Sequence, residues 1–127
     1  MNLFLSESGT VKLGCYGLTT QAEYYSEEKA KCEGIRSFAP EVFEGKYELK
    51  SDVWSLGLAL MRLARVEPLP EDDDDLPEIV GSYYFPFGEL KGFSDAFVDF
   101  VKKCLVKEVN ERWSMDVLMN VSCFSAV

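Results

Sequence analysis

The sequence predicts a mainly α domain in which about four helices surround one buried central helix, with a short β-hairpin ahead of them. Three observations carry that prediction. From Val53 to Met61 only Ser55 has a polar side chain, and a helix that is apolar on every side belongs in the middle of a domain. Phe97, Phe100, Val101, Cys104 and Leu105 fall on one helical stripe, while Asp99, Lys102 and Lys103 fall opposite it. Near the start, Leu3-Phe4-Leu5 and Val11-Lys12-Leu13 flank Ser6-Glu7-Ser8-Gly9, two short strand-like runs around a four- or five-residue turn.

Taken in order, the hairpin comes first, and two strands alone are marginal, so it needs a surface to lie on. Residues 14–38 hold no sustained period and contain Gly14, Gly17, Gly34 and a charged patch from Glu27 to Glu33. They read as a long irregular loop, which a compact domain seldom keeps without a role. Ala39-Pro40-Glu41-Val42-Phe43 suits one helical turn, and Gly45-Lys46-Tyr47 leads into the central helix. Ser51 is the expected N-cap of that helix. Asp52 suits the positive end of its dipole, and Arg62 and Arg65 the negative end. Pro68, Pro70 and the acidic run Glu71 to Asp75 end it and read as a solvated loop. Leu76 to Val80 is a short helix. Tyr83-Tyr84-Phe85-Pro86-Phe87 is an aromatic loop whose rings are expected to pack. Ser94 caps the amphipathic helix that runs to Leu105, and a last helix starts at Ser114 with Val117 and Leu118.

The chain has 127 residues, 47% of them apolar, enough for one small domain with a core. A net charge of −9 argues against nucleic acid or an anionic membrane as main partner. No run reaches the roughly 20 apolar residues of a membrane span, and no secretory signal is expected. The cysteines at 15, 32, 104 and 123 form no Cys-x-x-Cys pair. They are therefore expected to be reduced in a cytoplasmic protein rather than zinc ligands, and no metal site is expected. The absence of histidine excludes imidazole acid–base chemistry.

Ser51-Asp52-Val53-Trp54-Ser55-Leu56-Gly57 resembles the central helix of the large lobe of eukaryotic protein kinases. Other landmarks follow that family's order. Asn2-Leu3-Phe4-Leu5 is similar to the Asn-Ile-Leu-Leu that closes the catalytic loop. Cys15-Tyr16-Gly17 stands in the place of Asp-Phe-Gly, and Ala39-Pro40-Glu41 matches the Ala-Pro-Glu that ends the activation segment. Cys104-Leu105-Val106-Lys107 resembles the Cys-Leu-x-Lys helix end, and Arg112 stands at the family's Arg-Pro-Ser arginine. The phrasing is most similar to the Ste20, or germinal-centre, group of serine/threonine kinases. The resemblance covers residues 1–127 as a partial kinase domain, a C-lobe from the end of the catalytic loop to the last helix. It implies that Glu41 pairs with Arg112, that Asp52 accepts bonds from the catalytic loop, and that Trp54 is structural. It also makes Thr19, Thr20, Tyr24, Tyr25 and Ser26 candidate phosphorylation sites in the activation segment, with Lys29, Lys31 and Arg36 nearby.

The chain also departs from the family. Phosphoryl transfer is positioning plus charge neutralisation by Mg²⁺ and fixed cations. The glycine-rich loop, strand lysine and catalytic aspartate would lie before Met1. Cys15 replaces the metal-binding aspartate, and a soft thiol suits Mg²⁺ poorly. Asn2 is the one residual metal-ligand position. The segment Gly34-Ile35-Arg36-Ser37-Phe38 lacks the Gly-Thr and the aromatic pair of the group, and Trp113 stands where proline is usual.

Three readings stay open. The first is an inactive pseudokinase scaffold or allosteric binding module without ATP or Mg²⁺. The second is a part of a longer Ste20-like kinase whose N-terminal portion binds ATP. The third is a degenerate paralogue or truncated product. The walls of the central helix would also precede Met1. One face of Val53 to Met61 and the undersides of Leu3, Leu5, Val11 and Leu13 are then expected to be uncovered, so that a protein partner or self-association covers them.

Overall fold

The computed structural model describes residues 3–14, 35–70 and 75–120. The chain divides into two compact units, Met1–Ile35 and Arg36–Val127.

In the first unit, β1 (Leu3–Leu5) and β2 (Val11–Leu13) pair antiparallel, with Leu3 opposite Leu13, Phe4 opposite Lys12 and Leu5 opposite Val11. The turn between them closes with Ser6 N–H on the Thr10 carbonyl at 2.9 Å. Gly9 sits there at φ +81°, a left-handed position that suits glycine. Phe4 lies so near Gly14 that a Cβ there would meet its ring at 2.7 Å. Leu5 and Val11 are exposed.

The second unit is helical, as the sequence predicts. It holds α1 (Pro40–Phe43), α2 (Leu49–Leu63), α3 (Leu76–Ser82), α4 (Asp95–Cys104) and α5 (Met115–Met119), with short 3-10 turns at Ile35–Ser37 and Phe87–Glu89. α2 is central because two of its stripes are buried. Trp54, Leu58 and Met61 pack with Ala39, Val42, Val66, Leu69, Val80, Leu90, Val101 and Leu105. Val53 packs with Phe100, Cys104 and Leu118, with Leu56, Leu60 and Trp113 against them. α4 buries Phe100, Val101 and Cys104 of the stripe read from the sequence and half-buries Phe97, and the Ser94 hydroxyl accepts from Phe97 N–H at 3.2 Å. Ser114 caps α5 in the same way. Of the two apolar residues singled out on it from the sequence, Leu118 is buried and Val117 is exposed.

Two expectations need correction. Ser51 is not the N-cap of the central helix. Leu49 and Lys50 are good helix formers, the helix starts with them, and Glu48 is the extended N-cap residue. Ser51 stands at the third helical position, where its hydroxyl accepts from Glu48 N–H at 3.2 Å. Second, no side chain from Val53 to Met61 is exposed: each is buried or half-buried. Leu56 is covered from the α4–α5 side of the core, and Leu60 packs against both clusters. The exposed leucines of α2 are at its ends, Leu49 and Leu63.

α2 ends in a Schellman arrangement. Arg65 N–H reaches the Arg62 carbonyl, and Val66 N–H the Met61 carbonyl. Arg65 takes the left-handed position there, at φ +61°, although it is not glycine.

Gly57 marks the crossing of α2 and α4. A Cβ there would sit 2.8 Å from Cys104 Cβ and from Leu105 Cγ and Cδ2. Gly57→Ala is expected to cost about 1–3 kcal/mol in urea unfolding through overpacking. Gly81, in α3, has open space at the same position. Gly81→Ala is expected to gain about 0.5–1 kcal/mol from helix propensity alone. Equal effects of the two substitutions would show that the α2–α4 crossing is not close.

Candidate functional site

The most highly connected polar group among the described residues is Arg112, which follows α4 in the loop before α5. Its side chain is fully buried. A guanidinium keeps its charge and presents five N–H donors, so burial is tolerable only if every donor is met. Here each one is. Nη1 donates to Glu41 Oε1 at 2.7 Å and to the Lys50 carbonyl at 2.9 Å. Nη2 donates to Glu41 Oε2 at 3.0 Å and to the Lys107 carbonyl at 3.1 Å. Nε donates to the Val106 carbonyl at 2.7 Å. The pair with Glu41 is bidentate, the geometry in which arginine and carboxylate bind most strongly.

Glu41 stands in the single turn of α1, where Pro40 at the first helical position needs no N–H partner. Its Oε1 also accepts the Ser51 hydroxyl at 2.7 Å. Ser51 thus accepts from the start of α2 and donates to α1. Lys50 closes the far side, donating from Nζ to the carbonyls of Val109 at 3.1 Å and Asn110 at 3.0 Å. Trp54 lies under the guanidinium, its ring centroid 5.1 Å from Cζ, and meets Phe85 edge-on at 5.4 Å. Its buried Nε1 has no hydrogen-bond partner among the described residues, so the ring's place is set by packing.

Burial alone would raise the Glu41 pKa. The hydrogen bonds from Arg112 and Ser51, with the charge of Arg112, outweigh it and hold the carboxyl below its ordinary value. The result is a saturated strut. Every guanidinium donor is met and both carboxylate oxygens accept hydrogen bonds, so the arrangement holds segments together rather than presenting an acid, base or nucleophile. Among the described residues no group of His, Cys, Asp and Glu could hold a metal ion.

Of the residues singled out in the sequence, the structure brings together Glu41, Arg112 and Trp54. Asp52 is exposed in the first turn of α2. Asn2, Cys15, Tyr16, Gly17, Thr19, Thr20, Tyr24, Tyr25 and Ser26 lie outside the described residues. Sequence reasoning missed Lys50 and the second role of Ser51. It missed Ser55 as well, whose hydroxyl donates to the Ser37 carbonyl at 2.7 Å. Arg36 adds a bond from Nη2 to the Pro70 carbonyl. Both fix the segment that leads into α1, and neither has a signature in the sequence, because the acceptors are backbone carbonyls.

The model of the protein kinase domain matches residues 1–124. Serine/threonine-protein kinase pakH of Dictyostelium discoideum is 34% identical over 123 residues, 94% of this chain and 24% of its own length. Serine/threonine-protein kinase pakB of the same organism is 35% identical over 124 residues, again 94% of this chain and 15% of its own length. The dual specificity mitogen-activated protein kinase kinase hemipterous of Drosophila melanogaster is 33% identical over 121 residues, 87% of this chain and 10% of its own length. The chain therefore spans a quarter or less of each of these relatives.

Removing either partner strands the other charge in the core. Arg112→Ala and Glu41→Ala are each expected to cost about 3–5 kcal/mol in urea unfolding. The double variant should lose much less than the sum. Arg112→Lys should not restore the loss, because an ammonium cannot meet five acceptor directions. Additive losses would mean that the side chains do not meet. Acid supplies a second check. With the folded pKa of Glu41 depressed, its contribution is fully present above the unfolded pKa and is lost as pH falls through the folded one. The stability gap between the natural chain and Glu41→Gln should therefore narrow below about pH 5.

Proposed function

The chain belongs to the protein kinase family as a C-lobe fragment, and from that premise we propose that it serves as a binding or scaffolding lobe that does not itself handle Mg-ATP. The observation that carries this reading is Cys15 in the Asp-Phe-Gly position. An aspartate there would bring a hard, charged oxygen to Mg²⁺, whereas a cysteine brings a soft sulfur. Asn2 supplies one neutral amide oxygen, and a single amide does not neutralise a phosphate-bound metal. The altered segment Gly34 to Phe38 fits the same reading, since it carries neither the Gly-Thr nor the aromatic pair of the kinase group it resembles.

A binding lobe needs a surface. Exposed apolar side chains on the hairpin, Leu5 and Val11 foremost, and at the ends of α2 support a protein partner or a second copy. The net charge of −9 disfavours nucleic acid, and no described helix is long and apolar enough to cross a membrane. A cytoplasmic setting for this lobe is part of the proposal.

A second reading has its own support. The named relatives are protein kinases, and the buried Glu41–Arg112 pair that the kinase resemblance implies is formed. On that reading the chain is the C-lobe portion of a longer Ste20-like serine/threonine kinase that binds ATP through its N-terminal part.

Nucleotide binding separates the two. Binding stabilises by RT ln(1 + [L]/Kd), about 2.7 kcal/mol when the ligand is at 100 Kd. The scaffold reading expects no magnesium-dependent rise in Tm with millimolar Mg-ATP, for this chain and for any longer protein that contains it. A clear magnesium-dependent rise, or phosphate transfer abolished by chelation, would establish the kinase reading instead. Light scattering across a concentration series checks the surface: the mass should grow with concentration or with an added partner.

A further inference from the structure

Tyr84 is the most exposed aromatic side chain among the described residues, at 92%. It stands in the irregular segment 83–86, between α3 and the 3-10 turn at Phe87–Glu89. Backbone outside regular structure can enter another enzyme's cleft without unfolding a helix. Nζ of Lys107 lies 5.6 Å over its ring.

Both neighbours of this tyrosine lead to the buried tie. The Lys107 carbonyl accepts from Arg112 Nη2, and the Val106 carbonyl beside it accepts from Arg112 Nε. On the other side, Phe85 packs edge-on to Trp54, the ring beneath the Arg112 guanidinium. The other described tyrosines lack this combination. Tyr83 is half-buried with its ring 6.0 Å from Phe85. Tyr47, 54% exposed, has no cation over its ring among the described residues.

We propose that Tyr84 is a tyrosine-phosphorylation site whose phosphate is received by Lys107 and read out at the Glu41–Arg112 tie. A separate tyrosine kinase supplies the group from ATP. The phenolic oxygen forms a bond to the γ-phosphorus, and the bond from that phosphorus to the bridging oxygen breaks. ADP leaves, and the phenolic proton passes to the modifying enzyme's base. The phosphate adds a charge of about −1.5 to −2 and three acceptor oxygens beside Lys107. Lys107 then exchanges its attraction to a ring face for a charge-assisted hydrogen bond. Its flexible stem allows that exchange without moving its backbone carbonyl off Arg112. The bond tethers the loop 106–112 from the outside while Arg112 holds it from within. Modification therefore tightens the tie.

The test uses the whole chain, treated with a broad-specificity tyrosine kinase and Mg-ATP beside a control peptide that the enzyme labels. A second sample carries phosphotyrosine installed at position 84 during translation. Tandem mass spectrometry should find phosphate at Tyr84 ahead of Tyr83 and Tyr47. Phosphate at 84 should slow amide exchange of residues 106–112 several-fold and raise Tm by a few degrees. Lys107→Met should remove both effects, since it keeps the backbone carbonyls and loses only the cation. Tyr84→Phe keeps the ring under Lys107 and should leave the unmodified Tm unchanged while blocking the label. Three results would each overturn the proposal: Tyr84 unlabelled while the control peptide is labelled, unchanged exchange at 106–112 in the phosphotyrosine sample, or an effect that survives Lys107→Met.

Discussion

A buried guanidinium cannot escape its charge, and much of the helical unit is arranged around that fact. A carboxylate in the same place could take up a proton; arginine cannot. Arg112 must therefore meet every donor with an acceptor, and it draws them from three separate stretches. Glu41 comes from α1, the Lys50 carbonyl from the start of α2, and the Val106 and Lys107 carbonyls from the loop that follows α4. Satisfying one side chain thus fixes α1 against α2 and the loop 106–112 against both. A hydrophobic contact could hold the same pieces together, but it would not specify direction to the same degree. Five donors in a rigid fork accept one arrangement of carbonyls.

Packing does the complementary work along α2. Trp54, Leu58 and Met61 bury one stripe and Val53 another, so apolar packing holds the helix on two sides. Gly57 allows α4 to approach on the side of Cys104 and Leu105. Trp54 links the two regimes, with one face against the apolar core and the other beneath the guanidinium. Its Nε1, unpartnered among the described residues, is a cost accepted for that position.

What the sequence revealed depended on whether its signals were periodic. α4 was legible in full because its stripe repeats and Ser94 stands one residue before it. The hairpin was legible because a glycine-containing turn separates two short apolar runs. The start of α2 was misread. The preference of serine for N-caps is real, but Glu48 also ends an extended stretch, and Leu49 and Lys50 continue a helix well. The cover over Leu56 was missed because it comes from α4 and α5, far along the chain. The pair Glu41–Arg112 came from resemblance, not from spacing, since no local pattern links residues 71 positions apart. The carbonyls that complete the site were invisible, because a backbone acceptor leaves no mark on sequence.

In the function proposed here, the residues that would bear on phosphate chemistry are not the residues that hold the fold. The first set sits at positions 2 and 15; the second is Glu41, Ser51, Trp54 and Arg112. A change from aspartate to cysteine at a metal position alters what a phosphate-bound ion would find, and it removes no donor or acceptor from the buried strut. A change at Arg112 would do the reverse, stranding Glu41 and freeing three carbonyls in the core. A lobe that has lost its metal ligand can still fold around its strut and present its surface. A lobe that has lost its strut keeps neither the surface nor the frame on which a metal site would depend.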